Sequence, residues 1–313
     1  MLVYLLRYQR QCTSGEKKGL TSTEHTTIFT HCAAFGATRA MRIYHMNGCG
    51  NRFAIYDSRS DVPFRPSAEE IRRIASPNGR QEFDQIIGME SALEDDIFMR
   101  IWNADGSEVK ACGNATRCVG WLMIEETGKS DVSVATEAGK LYVKAADKGL
   151  ISVDMGSPLM TWEHIPLSEK MDTRGVDVKI GPIDAPYLSK PTCVNMGNPH
   201  AVFFVKDVES YDIPGIGPLV EWHPIFPEGV NVGFAQIINK KKIRLRVWER
   251  GAGLTKACGT GACAALVSAV RLKKANRKAT MILDGGELQI EWSKANDHVY
   301  MTGPVELEKT IEA

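Results

Sequence analysis

Two stretches of this chain align without a gap at a constant offset of 146 residues, and that repeat constrains the fold more than any other feature. Arg100-Ile-Trp-Asn-Ala-Asp-Gly-Ser-Glu-Val-Lys-Ala-Cys112-Gly-Asn114 is matched by Arg246-Val-Trp-Glu-Arg-Gly-Ala-Gly-Leu-Thr-Lys-Ala-Cys258-Gly-Thr260, so Arg, Trp, Lys, Ala, Cys and Gly recur in register. Each copy runs from a β-rich segment (Ile97 to Trp102; Ile243 to Trp248) through a polar, Gly-containing loop to Ala-Cys-Gly and then an apolar pattern of helical spacing. Helices are expected over Ala115 to Glu126 and Gly261 to Lys273, which puts each cysteine at a loop-to-helix junction.

Elsewhere the chain reads as strand: Ile43 to Tyr56, Val132 to Ala135, Leu141 to Ala145, Leu150 to Asp154, Cys193 to Asn195, Ala201 to Val205, Val230 to Ile238, Met281 to Leu283, Leu288 to Trp292 and His298 to Thr302. Asp284-Gly285-Gly286 between two of these is a hairpin signal, whereas Ser168 to Pro186 reads as a loop. The expected class is α+β. Two similar lobes, related by a pseudo-two-fold axis, would each wrap a strand-rich sheet around a central helix, with the active site in the cleft between them. Turn chemistry at Gly156-Ser157-Pro158 sets the expected boundary: lobes of 41–156, completed by the C-terminal strand 303–313, and 157–302.

The 313 residues are enough for two lobes. Lys plus Arg and Asp plus Glu each number 38, so no net field draws nucleic acid or an anionic membrane, and a small molecule is the expected partner. No run approaches the roughly 18–20 apolar residues of a membrane span. Eight scattered cysteines without C-x-x-C or Cys/His spacing read as reduced thiols of a cytoplasmic protein, with neither metal nor cofactor expected. Residues 1–40 are basic, Ser/Thr-rich and without periodicity. They read as an extension outside the fold, either a transit peptide or, preferred here, translated sequence ahead of a start at Met41.

A thiol at a helix N-terminus faces unpaired N–H groups and the positive end of the helix dipole, so its pKa is expected to fall below the free value of about 8.5. The same N–H groups suit the carboxylate of an amino acid. Duplication would place one such thiol in each lobe, facing the other across the cleft, which suits inversion at one carbon: one thiolate takes a proton from one face and the opposite thiol returns one to the other. A free cysteine is more often a small core residue, and that is the expectation for Cys118 and Cys263 inside the helices and for Cys49 and Cys193. Cys112 and Cys258 are set apart by their matched positions.

Eight blocks in order carry a more specific signal: Met46-Asn-Gly-Cys-Gly-Asn51-Arg-Phe53, Phe83-Asp-Gln85, Asn103-Ala-Asp-Gly-Ser-Glu108, Ala111-Cys-Gly-Asn114, Asn195-Met-Gly-Asn-Pro-His200, Asn231-Val-Gly-Phe234, Glu249-Arg-Gly251 and Ala257-Cys-Gly-Thr-Gly261. With them Met41 to Ala313 resembles the diaminopimelate epimerase family. The resemblance implies that Cys112 and Cys258 are the two catalytic thiols. It implies that Gly113, Asn114, Gly259 and Thr260 cradle a carboxylate and that Asn51, Gln85, Asn103, Asn198, Asn231, Glu249 and Arg250 hold substrate, with His200 in support. It also implies a homodimer, no cofactor and diaminopimelate as substrate. The chain departs from the family pattern at Asn47, where a His is usual, at Arg52, where an Asp is usual, and at Leu254, where a Glu is expected.

Two other readings compete. A hydroxyproline epimerase or an isomerase of the same fold would tend to carry Cys-Gly-His at the first site, where this chain has Cys112-Gly-Asn114. A zwitterion-binding or redox-sensing protein without catalysis would use the facing thiols as a switchable disulfide.

Overall fold

The computed structural model describes residues 41–59, 63–182 and 184–312, so the expectations for residues 1–40 lie outside the described residues. The first half contains β1 (Arg42–Gly48), β2 (Asn51–Asp57), α1 (Ala68–Ala75), β3 (Gln85–Glu90), β4 (Ile97–Asn103), β5 (Glu108–Val109), α2 (Gly113–Thr127), β6 (Asp131–Thr136), β7 (Gly139–Ala145) and β8 (Ile151–Asp154). A short ribbon of β9 (Lys179–Ile180) and β10 (Leu188–Ser189) follows. The second half contains β11 (Thr192–Asn195), β12 (Pro199–Val205), α3 (Ile213–Glu221), β13 (Asn231–Asn239), β14 (Lys242–Glu249), β15 (Gly253–Thr255), α4 (Gly259–Arg271), β16 (Lys278–Leu283), β17 (Gly286–Trp292) and β18 (Val299–Gly303), and the chain closes with β19 (Glu306–Glu312).

The halves share one pairing scheme. Antiparallel β1–β2 corresponds to β11–β12, parallel β2–β3 to β12–β13, antiparallel β3–β4 to β13–β14, and parallel β4–β6 to β14–β16. β8 and β18 then pair antiparallel and join the halves, while β19 returns to lie antiparallel on β1 of the first half. The architecture is α+β: two sheet-rich halves of one topology, each with a helix through its middle. Among the described residues no helix is long and apolar enough to cross a membrane.

Both central helices are apolar on nearly every side, which suits a helix enclosed by its own sheet rather than laid on a surface. Ala115, Cys118, Val119, Leu122 and Met123 of α2 pack with Met46, Phe53, Val132, Val143 and Val153. Ala262 to Val267 of α4 pack with Val202, Leu245, Val247, Met281, Leu288 and Ile290. Each fully buried Val, Leu or Ile contributes about 1.5–3 kcal/mol. α2 stops at Gly128, whose φ of 68° is the left-handed conformation that ends helices.

The structure departs from the sequence expectations in several places. The run Ile43 to Tyr56 is two strands, because Cys49 and Gly50, with φ of 61° and 85°, turn the chain between β1 and β2. α1 and α3 were not expected, nor was β3. α2 begins at Gly113 and α4 at Gly259, two residues earlier than the apolar pattern indicates, so the cysteines are themselves the N-cap residues.

Candidate active site

Cys112 and Cys258 occupy the same place in the two halves, each in extended conformation at the start of its central helix. The strand pairings extend that equivalence beyond the repeat visible in sequence. Gln85 lies opposite Asn103 across β3 and β4; Asn231 and Glu249 begin and end the equivalent strands β13 and β14. Phe53 pairs with Gln85 as His200 pairs with Asn231, so Asn51 and Asn198, each two residues earlier, also correspond. The site is thus built twice: Asn51, Gln85, Asn103, Cys112, Gly113 and Asn114 in one half match Asn198, Asn231, Glu249, Cys258, Gly259 and Thr260 in the other.

The two helix starts meet. A methyl group on Gly113 would lie 2.6 Å from Met301 Cε, and one on Gly259 would lie 2.8 Å from Met301 Sδ and 3.2 Å from Asn114 Oδ1. Met301, fully buried on β18, therefore packs against both glycines, and a larger residue at either first helical position would have to displace its side chain.

The chemistry at the two thiols is not symmetric. The Cys258 thiol donates to Glu249 Oε2 at 3.1 Å, receives the Gly261 N–H at 3.4 Å and lies 3.5 Å from Thr260 Oγ1. Thr255 Oγ1 donates to the other Glu249 oxygen. Asn103, the counterpart of Glu249, instead accepts from Gln85 Nε2 at 3.0 Å and donates to Ser107 Oγ at 3.2 Å.

Both thiols differ from the low-pKa expectation. Burial pushes Cys112 up to about 11 and outweighs the N–H groups of Ala115 and Asn114 that pull it down. Burial also raises Cys258 well above the ordinary thiol range, and the Glu249 charge raises it further. A helix N-terminus favours the anion, but removal from water costs it more. Burial raises Glu249 as well, against the hydrogen bonds from Thr255 and Cys258 that hold it down.

The remaining positions are placed as follows. Asn114 Nδ2 donates to Asn51 Oδ1 at 3.0 Å, and among the described residues Asn114 Oδ1 and Gln85 Oε1 are buried without a partner. Asn231 holds the backbone, donating to the Pro199 carbonyl at 2.8 Å and accepting the Arg250 N–H at 2.9 Å. Exposed Arg250 sends Nη1 to the Glu228 carbonyl at 2.8 Å. His200 Nε2 lies 2.9 Å from Asn198 Oδ1, so it orients that amide and not a thiol. Asn47 Oδ1 accepts the Gly50 N–H in the β1–β2 turn, Arg52 turns outward to pair with Glu308 at 2.9 Å, and Leu254 joins the apolar cluster around α3.

Sequence reasoning missed Glu221, which is buried, accepts from Trp248 Nε1 at 2.7 Å and from the Gly251 N–H at 2.9 Å, and so fixes the loop after Glu249. No motif marks it. It also missed Met301, which no spacing connects to either cysteine.

Comparison with known proteins shows the family. The diaminopimelate epimerase family profile matches residues 43–161 and 192–308. The diaminopimelate epimerase of Phenylobacterium zucineum (strain HLK1) is 52% identical over 263 residues, covering 84% of this chain and 94% of its own. That of Caulobacter sp. (strain K31) is 50% identical over 272 residues with the same coverage. In fold, the chain is similar to a hydroxyproline epimerase from Agrobacterium vitis (TM-score 0.60, 15% identity, 88% of this chain and 91% of that one). It is similar in the same way to a phenazine biosynthesis protein from Bacillus anthracis (TM-score 0.59, 15% identity, 88% and 99%). On the family profile and on these full-length relatives, the chain belongs to the diaminopimelate epimerase family.

Proposed function

We propose that this protein interconverts LL- and meso-2,6-diaminopimelate by a two-base mechanism in which Cys112 and Cys258 act on opposite faces of one α-carbon. The observation that carries the reading is the convergence of two thiol-bearing helix starts on Met301. A substrate carboxylate between them would meet the N–H groups of both helices, and these stabilise the negative charge that develops as the α-proton leaves. One thiolate takes the α-proton and the opposite thiol delivers its own proton to the other face, so each inversion leaves the thiol and thiolate exchanged.

The buried, unpartnered acceptors Asn114 Oδ1 and Gln85 Oε1 suit an ammonium group, and the exposed guanidinium of Arg250 would clamp a carboxylate. In this reading Gly113, Asn114, Gly259 and Thr260 cradle the reacting carboxylate, Asn114 through its backbone N–H, while Asn51, Asn103, Asn198, Asn231 and Glu249 position substrate. The lobes are 41–156, completed by 303–313, and 157–302, and the working unit is a cytoplasmic homodimer, to be checked by sedimentation velocity.

Incubation with LL-diaminopimelate in deuterated water tests the activity. The expected result is meso product carrying deuterium at one α-carbon; no deuterium and no product would contradict it.

A further inference from the structure

We propose that Arg100 and Arg246, the matched arginines that open the two repeats, are positioning residues: each pins a hairpin turn whose backbone holds the segment leading into its own cysteine. The proposal rests on the two-thiol reading above and deepens it.

The arginines lie on the equivalent strands β4 and β14, ahead of Cys112 and Cys258. Isolated ion pairs on a surface contribute little, but only 19% and 20% of these two side chains is exposed, and each meets more than one carboxylate. Arg100 Nη1 donates to Glu108 Oε1 at 2.6 Å and to Glu137 Oε1 at 3.1 Å, and its Nε reaches Glu90 Oε1 at 3.4 Å. Arg246 Nε donates to Asp284 Oδ2 at 3.1 Å, and its Nη1 reaches Glu209 Oε2 at 3.5 Å. Arg244, on the same strand, pairs with both of these carboxylates as well.

One partner is the same in both halves. Glu137 follows Thr136 at the end of β6, and Asp284 follows Leu283 at the end of β16. Thr136 pairs with Gly139 and Leu283 with Gly286, so each arginine holds the first turn residue of an equivalent hairpin. The second turn residue reaches the cysteine segment. The Ala138 N–H donates to the Lys110 carbonyl at 3.2 Å, and the Gly285 N–H donates to the Lys256 carbonyl at 2.8 Å. Lys110 and Lys256 are matched in the repeat and stand two residues before Cys112 and Cys258. They follow the last residues of β5 and β15 and precede the cysteine N-caps, so they belong to neither strand nor helix, and this bond ties them to the sheet. Arginine, turn, lysine carbonyl and cysteine form one line of contacts, built twice. A reacting group displaced by about 1 Å can lose about 10²-fold in rate, which gives such a tie a part in catalysis without any contact to substrate.

The test is the rate of alkylation by iodoacetamide at one pH, read separately for the Cys112 and Cys258 peptides by mass spectrometry, in Arg100→Gln and Arg246→Gln. Removing a pin eases local opening in its own half, so Arg246→Gln should label Cys258 about tenfold faster and Cys112 much less so, and Arg100→Gln should do the reverse. A general loss of stability would speed both peptides alike in either variant. Equal acceleration, no acceleration, or acceleration of the wrong cysteine overturns the proposal. Where a Gln variant does not fold, Glu137→Gln and Asp284→Asn release the same turns from the partner side and are judged by the same pattern. In turnover each variant should lose about tenfold in kcat with KM changed less than about twofold. An unchanged kcat would leave the turns outside the chemistry. Labelling needs no turnover, so a failure to epimerise diaminopimelate would show independently in the deuterium experiment.

Discussion

Glu249 Oε2 accepts the thiol proton of Cys258 across 3.1 Å, whereas the position that corresponds to Glu249 beside Cys112 is an amide, Asn103. A neighbouring carboxylate favours the neutral thiol twice, by accepting its hydrogen bond and by repelling the thiolate. Glu249→Gln removes the charge and retains an acceptor. Alkylation of Cys258 should then begin at lower pH than in the parent protein. An inflection that stays in place or rises would show that Glu249 does not govern this thiol.

His200 links the site to acid stability. Burial pushes its imidazole down to about 3, while in the unfolded chain it titrates near 6.5. Between those values the unfolded state binds the extra proton, so the stability is complete above about pH 6.5 and is lost as pH falls toward 3. At pH 5 the loss from this one group is roughly 2 kcal/mol. Urea denaturation at pH 7 and pH 5 should show that difference, and His200→Gln should reduce it. An unchanged pH dependence in the variant would assign the acid sensitivity elsewhere.

The turn that precedes Asn51 is held by backbone contact with the other half. A methyl group on Gly285 would lie 2.4 Å from the Cys49 carbonyl oxygen, and one on Gly50 would lie 2.6 Å from Gly285 Cα. The Gly285 N–H also donates to the Lys256 carbonyl at 2.8 Å, two residues before Cys258. Gly285→Ala must move one of these segments and should cost about 2–4 kcal/mol together with activity. Gly128→Ala is the control, since nothing lies near its added methyl and only its left-handed φ is strained, at about 1 kcal/mol. Equal melting temperatures for the two variants would show that the contact is slack.

The repeat around each cysteine was legible because a loop turning into a helix start against a second copy of itself admits few residues: Cys as the N-cap, then Gly where Met301 crowds both helices. The outer site residues were legible only through family blocks. Gln85 and Asn231 share no flanking sequence, and their equivalence appears only in the register of parallel strands. α1 carries a readable capping box, Ser67 with Glu70, but buries only Ile71 and Ala75 and so lacks a strong apolar stripe. α3 holds Pro214, Gly215, Gly217 and Pro218 in nine residues, a composition that reads as loop until packing overrides it. The β1–β2 turn was hidden because Cys49, a residue seldom left-handed, takes a φ of 61° there. The direction of the thiol pKa values was invisible for a simpler reason: the helix start is written in the sequence, and the depth at which it is buried is not.

The opposed-thiol account is tested most directly by isomer-specific hydrogen exchange in two variants, Cys112→Ala and Cys258→Ala. Each should lose epimerisation by at least the roughly 10²–10⁴-fold typical of a missing acid or base. Each surviving thiol still faces one side of the α-carbon, so each variant should exchange the α-hydrogen of one stereoisomer with deuterated solvent faster than that of the other. The preferred isomer should be opposite in the two variants. Near-parental epimerisation by either variant, or the same preferred isomer in both, would contradict the account and leave one of these cysteines a structural residue.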